Sequence, residues 1–173
     1  RVFLLPMENQ AMDAEMAALS SRYAVAEMLL SGITTVLDMY YFEEVVAKVM
    51  DEMGIRGIAG ETVMETDSCD SENTDQAIER GLALIAAYKD HPRVSGTLTP
   101  HGTTTCSPET LKRVYEEDVK AGSVFTLHTA EMDYEMTQIR EQYGMTPVEF
   151  LEHIGVLGPN TLTAHTIHAT ERD

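Results

Sequence analysis

Three of the six histidines, His101, His128 and His165, each follow closely on a short apolar or β-branched run: Val94 to Thr99, Val124 to Leu127 and Thr161 to Ala164. Imidazole is the commonest protein ligand for zinc and also a general acid or base near neutral pH. Glu131 follows His128 by three residues, in His128-Thr129-Ala130-Glu131, near enough to reach a water held by a metal on that histidine. Histidines converging beside a carboxylate point to metal-assisted hydrolysis. Singly, each histidine is as readily a buried hydrogen-bonding residue; the set carries the reading.

Convergence requires elements that bring the runs together. From Met12 to Leu30 the residues Met12, Met16, Leu19, Tyr23, Ala26 and Leu30 fall at alternating spacings of four and three, which predicts a helix with these on its apolar face. Gly32 ends it, and Thr34 to Met39 reads as a strand buried on both faces. A helix over 42–53 stops at Gly54, and 55–59 is a short strand candidate. The polar stretch Glu61 to Asn73 is long for a simple connection and predicts a lid or functional loop. A helix over 74–88 leads to the Val94 strand, closed by Pro100. Ser107-Pro108 is an N-cap followed by a first-turn proline, with Gly122 as the stop. Thr146-Pro147-Val148-Glu149 is a capping box opening a helix that ends near Gly155, and a further helix is expected to start at Thr170.

Strands alternating with helices about five times, without hairpin dipeptides, predict parallel βα units in one domain, either a barrel or an open doubly wound sheet. In both, functional groups gather at the carboxyl ends of strands, which here carry Asp38, Glu61, His101, His128 and His165. A (β/α)8 barrel takes about 250 residues, so this chain accounts for five or six of its eight units. With 29 acidic against 12 basic side chains the formal charge is -17, which disfavours nucleic acid and anionic membrane surfaces as partners. No run approaches the roughly 20 apolar residues of a bilayer span. Cys69 and Cys106 form neither a disulfide framework nor a metal knuckle, which suits a reducing, cytoplasmic setting.

The segments Pro100-His101, Thr105-Cys106-Ser107-Pro108-Glu109, His128-Thr129-Ala130-Glu131 and Thr163-Ala164-His165-Thr166-Ile167-His168 resemble, in order and spacing, the amidohydrolase superfamily. Within it they are most similar to the chlorohydrolase and deaminase branch that includes methylthioadenosine/S-adenosylhomocysteine deaminases. Leu5-Pro6-Met7-Glu8 and Gly32 to Tyr40 match its upstream segments. The resemblance implies a partial metal-dependent (β/α)8 barrel that hydrolyses an amino or chloro substituent from a small aromatic heterocycle. It implies His128 as a metal ligand, Glu131 as the proton shuttle, and His165 as a hydrogen-bond partner of the attacking oxygen. His101 would contact the heterocycle and Glu8 would hold sugar hydroxyls. The implied cofactor is one divalent metal, zinc before iron or manganese, since the ligand set is histidine-rich with one carboxylate. A homo-oligomer is left open.

The chain departs from this pattern in several places. It contains no His-x-His pair, which the family places on its first strand, and the family's late-strand aspartate is also missing. Residues 1–173 are therefore expected to be the central part of one barrel domain, with an incomplete ligand set and no activity alone. His101 is followed by Gly102-Thr103-Thr104 rather than a small residue, proline and tyrosine, and Glu61 stands where some relatives use arginine, so an amine-bearing substrate is an option. Asp38 reads either as an exposed carboxylate at the barrel mouth or, the favoured expectation, as a cap of the following helix. His91 reads as a loop residue, His153 as favoured by a helix C-terminus, His168 as a residue behind the site or on the surface, and Cys106 as structural. The competing readings are a noncatalytic binding or assembly module built on the barrel scaffold, and an open-sheet domain with a small-molecule crevice.

Overall fold

The computed structural model describes residues 4–173. Arg1, Val2 and Phe3, at the start of the first segment, lie outside the described residues. The chain gathers into two compact units, one formed by the residues up to Thr62 with Thr66–Thr97, the other by Val63–Glu65 with Leu98–Asp173.

In the first unit, α1 (Leu4–Ala11) and α2 (Ala14–Leu30) precede β1 (Thr35–Tyr40), α3 (Glu43–Met53), β2 (Arg56–Val63), α4 (Thr74–Ala87) and β3 (Val94–Pro100), with Val63 of β2 and the last three residues of β3 counted in the second unit. The strands form a sheet in the order β1-β2-β3, with β1 and β2 parallel and Tyr40 opposite Glu61. Asp13 caps α2 by accepting from the Met16 amide, and Asn73 caps α4 through Gln76. The core holds Val25, Val46, Ala47, Met50, Ile55 and Leu84. Gly96 is required where β3 meets α4, because a Cβ there would lie 2.7 Å from the Ile85 amide nitrogen.

Three expectations fail in this unit. The Met16, Leu19 and Tyr23 stripe is exposed, and α2 buries Ala17 and Val25 instead; the helix carries apolar residues on more than one face, and spacing alone does not say which face is covered. The strand β1 is only half-buried rather than covered on both faces. Glu61 to Val63 extend β2 instead of opening the loop, which is confined to 64–73.

The second unit contains α5 (Pro108–Ala121), β4 (Phe125–Thr129), α6 (Asp133–Tyr143), α7 (Pro147–His153) and β5 (Thr161–His165). The strands β4 and β5 are parallel. Ser107 caps α5, Thr146 and Glu149 form the reciprocal capping box of α7, and the Tyr143 and Phe150 rings stack at 4.4 Å. The fully buried Asp118 of α5 accepts from the Leu98 amide at 3.1 Å and the Ser123 hydroxyl at 2.7 Å, tying the helix to the strand it follows. No helix begins at Thr170; the residues up to Asp173 form turns.

Candidate functional site

The second unit brings His101, His128, Glu131 and His165 together. The His101 and His128 ring centroids are 4.8 Å apart, and the His128 and His165 rings stack at 5.2 Å with an interplanar angle of 18°. This stacking depends on a break in the strand. Pairing sets His165 opposite Thr129, not His128, so in an unbroken strand the two rings would lie on opposite faces. Left-handed backbone at His165 (φ 71°) and Thr166 (φ 51°) interrupts the alternation. Non-glycine residues adopt this conformation reluctantly, and such outliers cluster at functional sites.

Hydrogen bonding sets the His128 tautomer. Its Nδ1 lies 2.7 Å from the His101 carbonyl oxygen, which also accepts from the His128 amide at 3.2 Å. A carbonyl only accepts, so Nδ1 carries a proton, and in the neutral ring the lone pair is on Nε2. That is the protonation state of a histidine metal ligand with its other nitrogen held by backbone. His101 in turn places Nδ1 3.0 Å from the Thr105 hydroxyl. Glu131 Oε1 is 3.6 Å from His165 Nε2, and both side chains are partly open to solvent.

One residue of this cluster escaped the sequence reading. Glu135, only 4% exposed, accepts from the Thr103 hydroxyl at 2.7 Å, the Ala130 amide at 3.2 Å and the Glu131 amide at 3.0 Å. Its helix, α6, was not expected because 133–143 is polar, with Ile139 and Glu135 its buried residues. The acids in its first turn and the Gly144 C-cap (φ 73°) were the available signals.

The remaining candidates divide clearly. Cys106 is buried, donates to the Val63 carbonyl, and burial pushes its thiol up to about 11, which suits a structural role. His168 lies 3.6 Å from the exposed Asp133. His91 accepts from the Val94 amide at 3.0 Å and faces Asp51. Among the described residues no group of three or more His, Cys, Asp or Glu is arranged to hold a metal.

In the first unit, Glu8 of α1 accepts a 2.8 Å hydrogen bond from the Tyr40 hydroxyl at the end of β1. Burial, and then the Glu8 carboxylate, push the Tyr40 phenol well up, so it donates at any ordinary pH. Glu61 is not available for an amine-bearing substrate. It is buried and bonded to Arg80 Nε at 2.9 Å, while Arg80 also reaches Glu44 at 2.8 Å and Asp70 at 3.4 Å. Burial, and next the Asp70 charge, push Glu61 up to about 8 despite Arg80. Asp70 also accepts from the Phe42 amide at 2.7 Å, holding a left-handed residue (φ 58°) at the start of α3. Asp38 caps no helix: the N-cap position of α3 is Phe42, without a side-chain cap, and Asp38 is half-buried in β1 with its carboxyl pushed up by burial.

With this geometry in hand, the chain compares closely with known proteins. The amidohydrolase family profile matches residues 2–173. A 5-methylthioadenosine/S-adenosylhomocysteine deaminase of Aquifex aeolicus is 34% identical over 168 residues, covering 97% of this chain and 39% of that protein. A crystal structure of an adenosine deaminase from Xanthomonas campestris with bound zinc superposes with a TM-score of 0.93 at 27% identity, over 96% of this chain and 38% of that one. An atrazine chlorohydrolase from Arthrobacter aurescens complexed with zinc, 23% identical, shares the fold with a TM-score of 0.80 over 90% of this chain and 38% of its own. The architecture is therefore that of a partial amidohydrolase barrel with parallel strands, and the chain spans about two fifths of the length of the relatives it matches.

Proposed function

Because the chain belongs to the amidohydrolase family, we propose that the protein it is part of is a metal-dependent aminohydrolase of adenosine-type or related amino-heterocycles. The observation that carries this is the cluster of His101, His128 and His165, with His128 stacked on His165 and Glu131 Oε1 3.6 Å from His165 Nε2. The similarity to deaminases of methylthioadenosine and S-adenosylhomocysteine supports the substrate class.

His128 Nε2 is the ligand this chain offers to a divalent metal, zinc from the histidine-rich chemistry, with the other ligands supplied by the rest of the protein. Such a metal, when bound, lowers the pKa of water toward roughly 7. Glu131 takes a proton from the attacking water and delivers it to a ring nitrogen of the substrate. His165 donates a hydrogen bond to the attacking oxygen as charge develops there. His101 orients the heterocycle, and Glu8, with one oxygen held by Tyr40, accepts from sugar hydroxyls. The carbon–nitrogen bond breaks, the amino group leaves as ammonia, and a ring carbonyl remains. With one candidate ligand, these 173 residues alone bind metal weakly and do not turn over. The cytoplasm is the compartment proposed for the protein, consistent with its two free cysteines.

The test is Glu131→Gln in the full-length protein, assayed for ammonia and for chloride release from amino- and chloro-substituted heterocycles. Turnover should fall by about 10²–10⁴, with ammonia as the wild-type product. Unchanged turnover would overturn the proton-shuttle role, and chloride as the favoured product would move the protein to the chlorohydrolases.

A further inference from the structure

We propose that Glu135 is a positioning residue for the reaction, the brace that sets the backbone from which Glu131 projects and couples it to the turn that begins at His101. This rests on the catalytic role proposed for Glu131.

Glu135 is the third residue of α6, in a first turn where a carboxylate suits the positive end of the helix. Yet α6 has no side-chain N-cap bond at Met132, and the Glu135 side chain reaches upstream. Oε2 accepts the Glu131 amide, while Oε1 accepts both the Ala130 amide and the Thr103 hydroxyl. All three partners are donors, so the site calls for a carboxylate, which only accepts and has lone pairs enough for three bonds. An amide at this position would turn an NH2 toward a donor.

The three bonds are not spread over one element. Two grip consecutive amides of the β4–α6 connection, and the third takes Thr103, two residues beyond His101. Ala130 is left-handed (φ 49°) and fully buried, a conformation an alanine holds only when its surroundings impose it. Its carbonyl accepts from the His168 amide at 3.0 Å, and the Thr129 carbonyl accepts from the Thr166 amide at 2.9 Å, so the same connection is also stitched to the chain after His165. Glu135 is thus the side-chain hub of a turn whose product is the direction of the Glu131 carboxylate. Loss of the hub should let Ala130 relax and swing Glu131 off line, and misplacement of a reacting group by about 1 Å costs about 10²-fold in rate.

The experiment compares Glu135→Gln, Glu135→Gln with Ala130→Gly, and Thr103→Val in the full-length holoenzyme, each normalised to folded protein by thermal melting and circular dichroism. Glu135→Gln is expected to lower kcat by about 10²-fold with KM within a few-fold. Adding Ala130→Gly, which takes up the left-handed conformation freely, should recover about tenfold of that loss. Thr103→Val removes one bond and should lower kcat severalfold, which keeps the test intact if Glu135→Gln does not fold. The proposal is overturned if kcat per folded molecule is unchanged in Glu135→Gln or, failing that variant, in Thr103→Val, or if glycine at 130 restores nothing. Wild-type turnover in Glu131→Gln would instead sink the underlying role of Glu131, whatever the Glu135 variants do.

Discussion

Around Arg80 the charges answer one another, whereas around His128 they are held in place and left open. Arg80 faces Glu61, Asp70 and Glu44, and Asp70 spends its remaining capacity on the Phe42 amide and the Ser68 hydroxyl. Arg80 itself lies 6.0 Å over the Phe42 ring. In the histidine cluster the His101 carbonyl holds His128 Nδ1 and the Glu135 carboxylate holds the Glu131 amide, while His128 Nε2 and the Glu131 carboxylate, 3.6 Å from His165 Nε2, are left for something else. Each group includes a residue near the carboxyl end of a strand, Glu61 in one and His128 in the other, so position in the fold does not by itself distinguish a site. What distinguishes it is whether the polar groups are consumed by each other.

The largest expected effect tests the open cluster. His165→Asn in the full-length protein should lower kcat by about 10²–10³, the loss typical of one oxyanion partner, with little change in melting temperature because His165 is exposed. A wild-type kcat would mean that the stacked ring is packing only. Arg80→Met tests the closed network in the opposite sense. It leaves the buried carboxyls of Glu61 and Asp70 without their cation and should cost about 3 kcal/mol in chemical denaturation, while kcat per folded molecule stays near wild type. A variant as stable as the parent would show that the network is not a structural device.

The closed network also predicts a pH dependence of known sign. Glu43 is fully buried, and its carboxyl is raised well above the ordinary range by burial and then by Asp38 and Glu61. Glu61 is raised to about 8 from 4.5. The folded chain therefore keeps protons that the unfolded chain releases above about 4.5. This contribution to stability is complete below that pH and is lost as the pH rises toward the folded values. Denaturant midpoints should fall between pH 5 and 8. Glu43→Gln, which has no proton to lose, should flatten that slope by up to about 1.4 kcal/mol per pH unit. An unchanged slope would place the Glu43 carboxyl in its ordinary range.

Much of this was legible where the signal was local. Ser107-Pro108 and Gly122 bound α5 as expected, and the Thr146–Glu149 box formed as written, because caps are chemistry between neighbours in sequence. The strand-end histidines were legible for the same reason, being terminators of apolar runs. What failed depended on distant partners. Glu61 reads as the start of a loop because a charge in a strand is unfavourable, but Arg80, nineteen residues on, answers it. The Met16, Leu19 and Tyr23 stripe has helical spacing yet faces outward, since periodicity does not say which of two apolar faces of α2 is buried. The stacking of His165 on His128 rests on positive φ angles at two non-glycine residues, which leave no mark on composition. Glu135 lay in a helix too polar to be recognised.

The smallest effect concerns Glu8, the candidate from the first unit, and it bears on the comparison because Glu8 lies between its two extremes. One of its oxygens is consumed by Tyr40 at 2.8 Å, as in the Arg80 network, and the remaining acceptor capacity of the carboxylate suits a hydroxyl, as in the histidine cluster. Tyr40→Phe removes the anchor and keeps the ring that packs 4.8 Å from Tyr41. A hydrogen bond to a charged group contributes about 1.5–3 kcal/mol when buried, and here, half-exposed, about 1 kcal/mol is expected, so KM for a ribonucleoside should rise about fivefold with kcat unchanged. The same variant should leave KM for the free amino-heterocycle where it was, because without a sugar there is nothing for Glu8 to hold. A rise for both substrates would mean that Tyr40 shapes the fold rather than the carboxylate, and no rise for either would mean that Glu8 needs no anchor or binds no sugar. Glu8→Gln separates those two, since it weakens ribonucleoside binding only if the carboxylate is the sugar ligand.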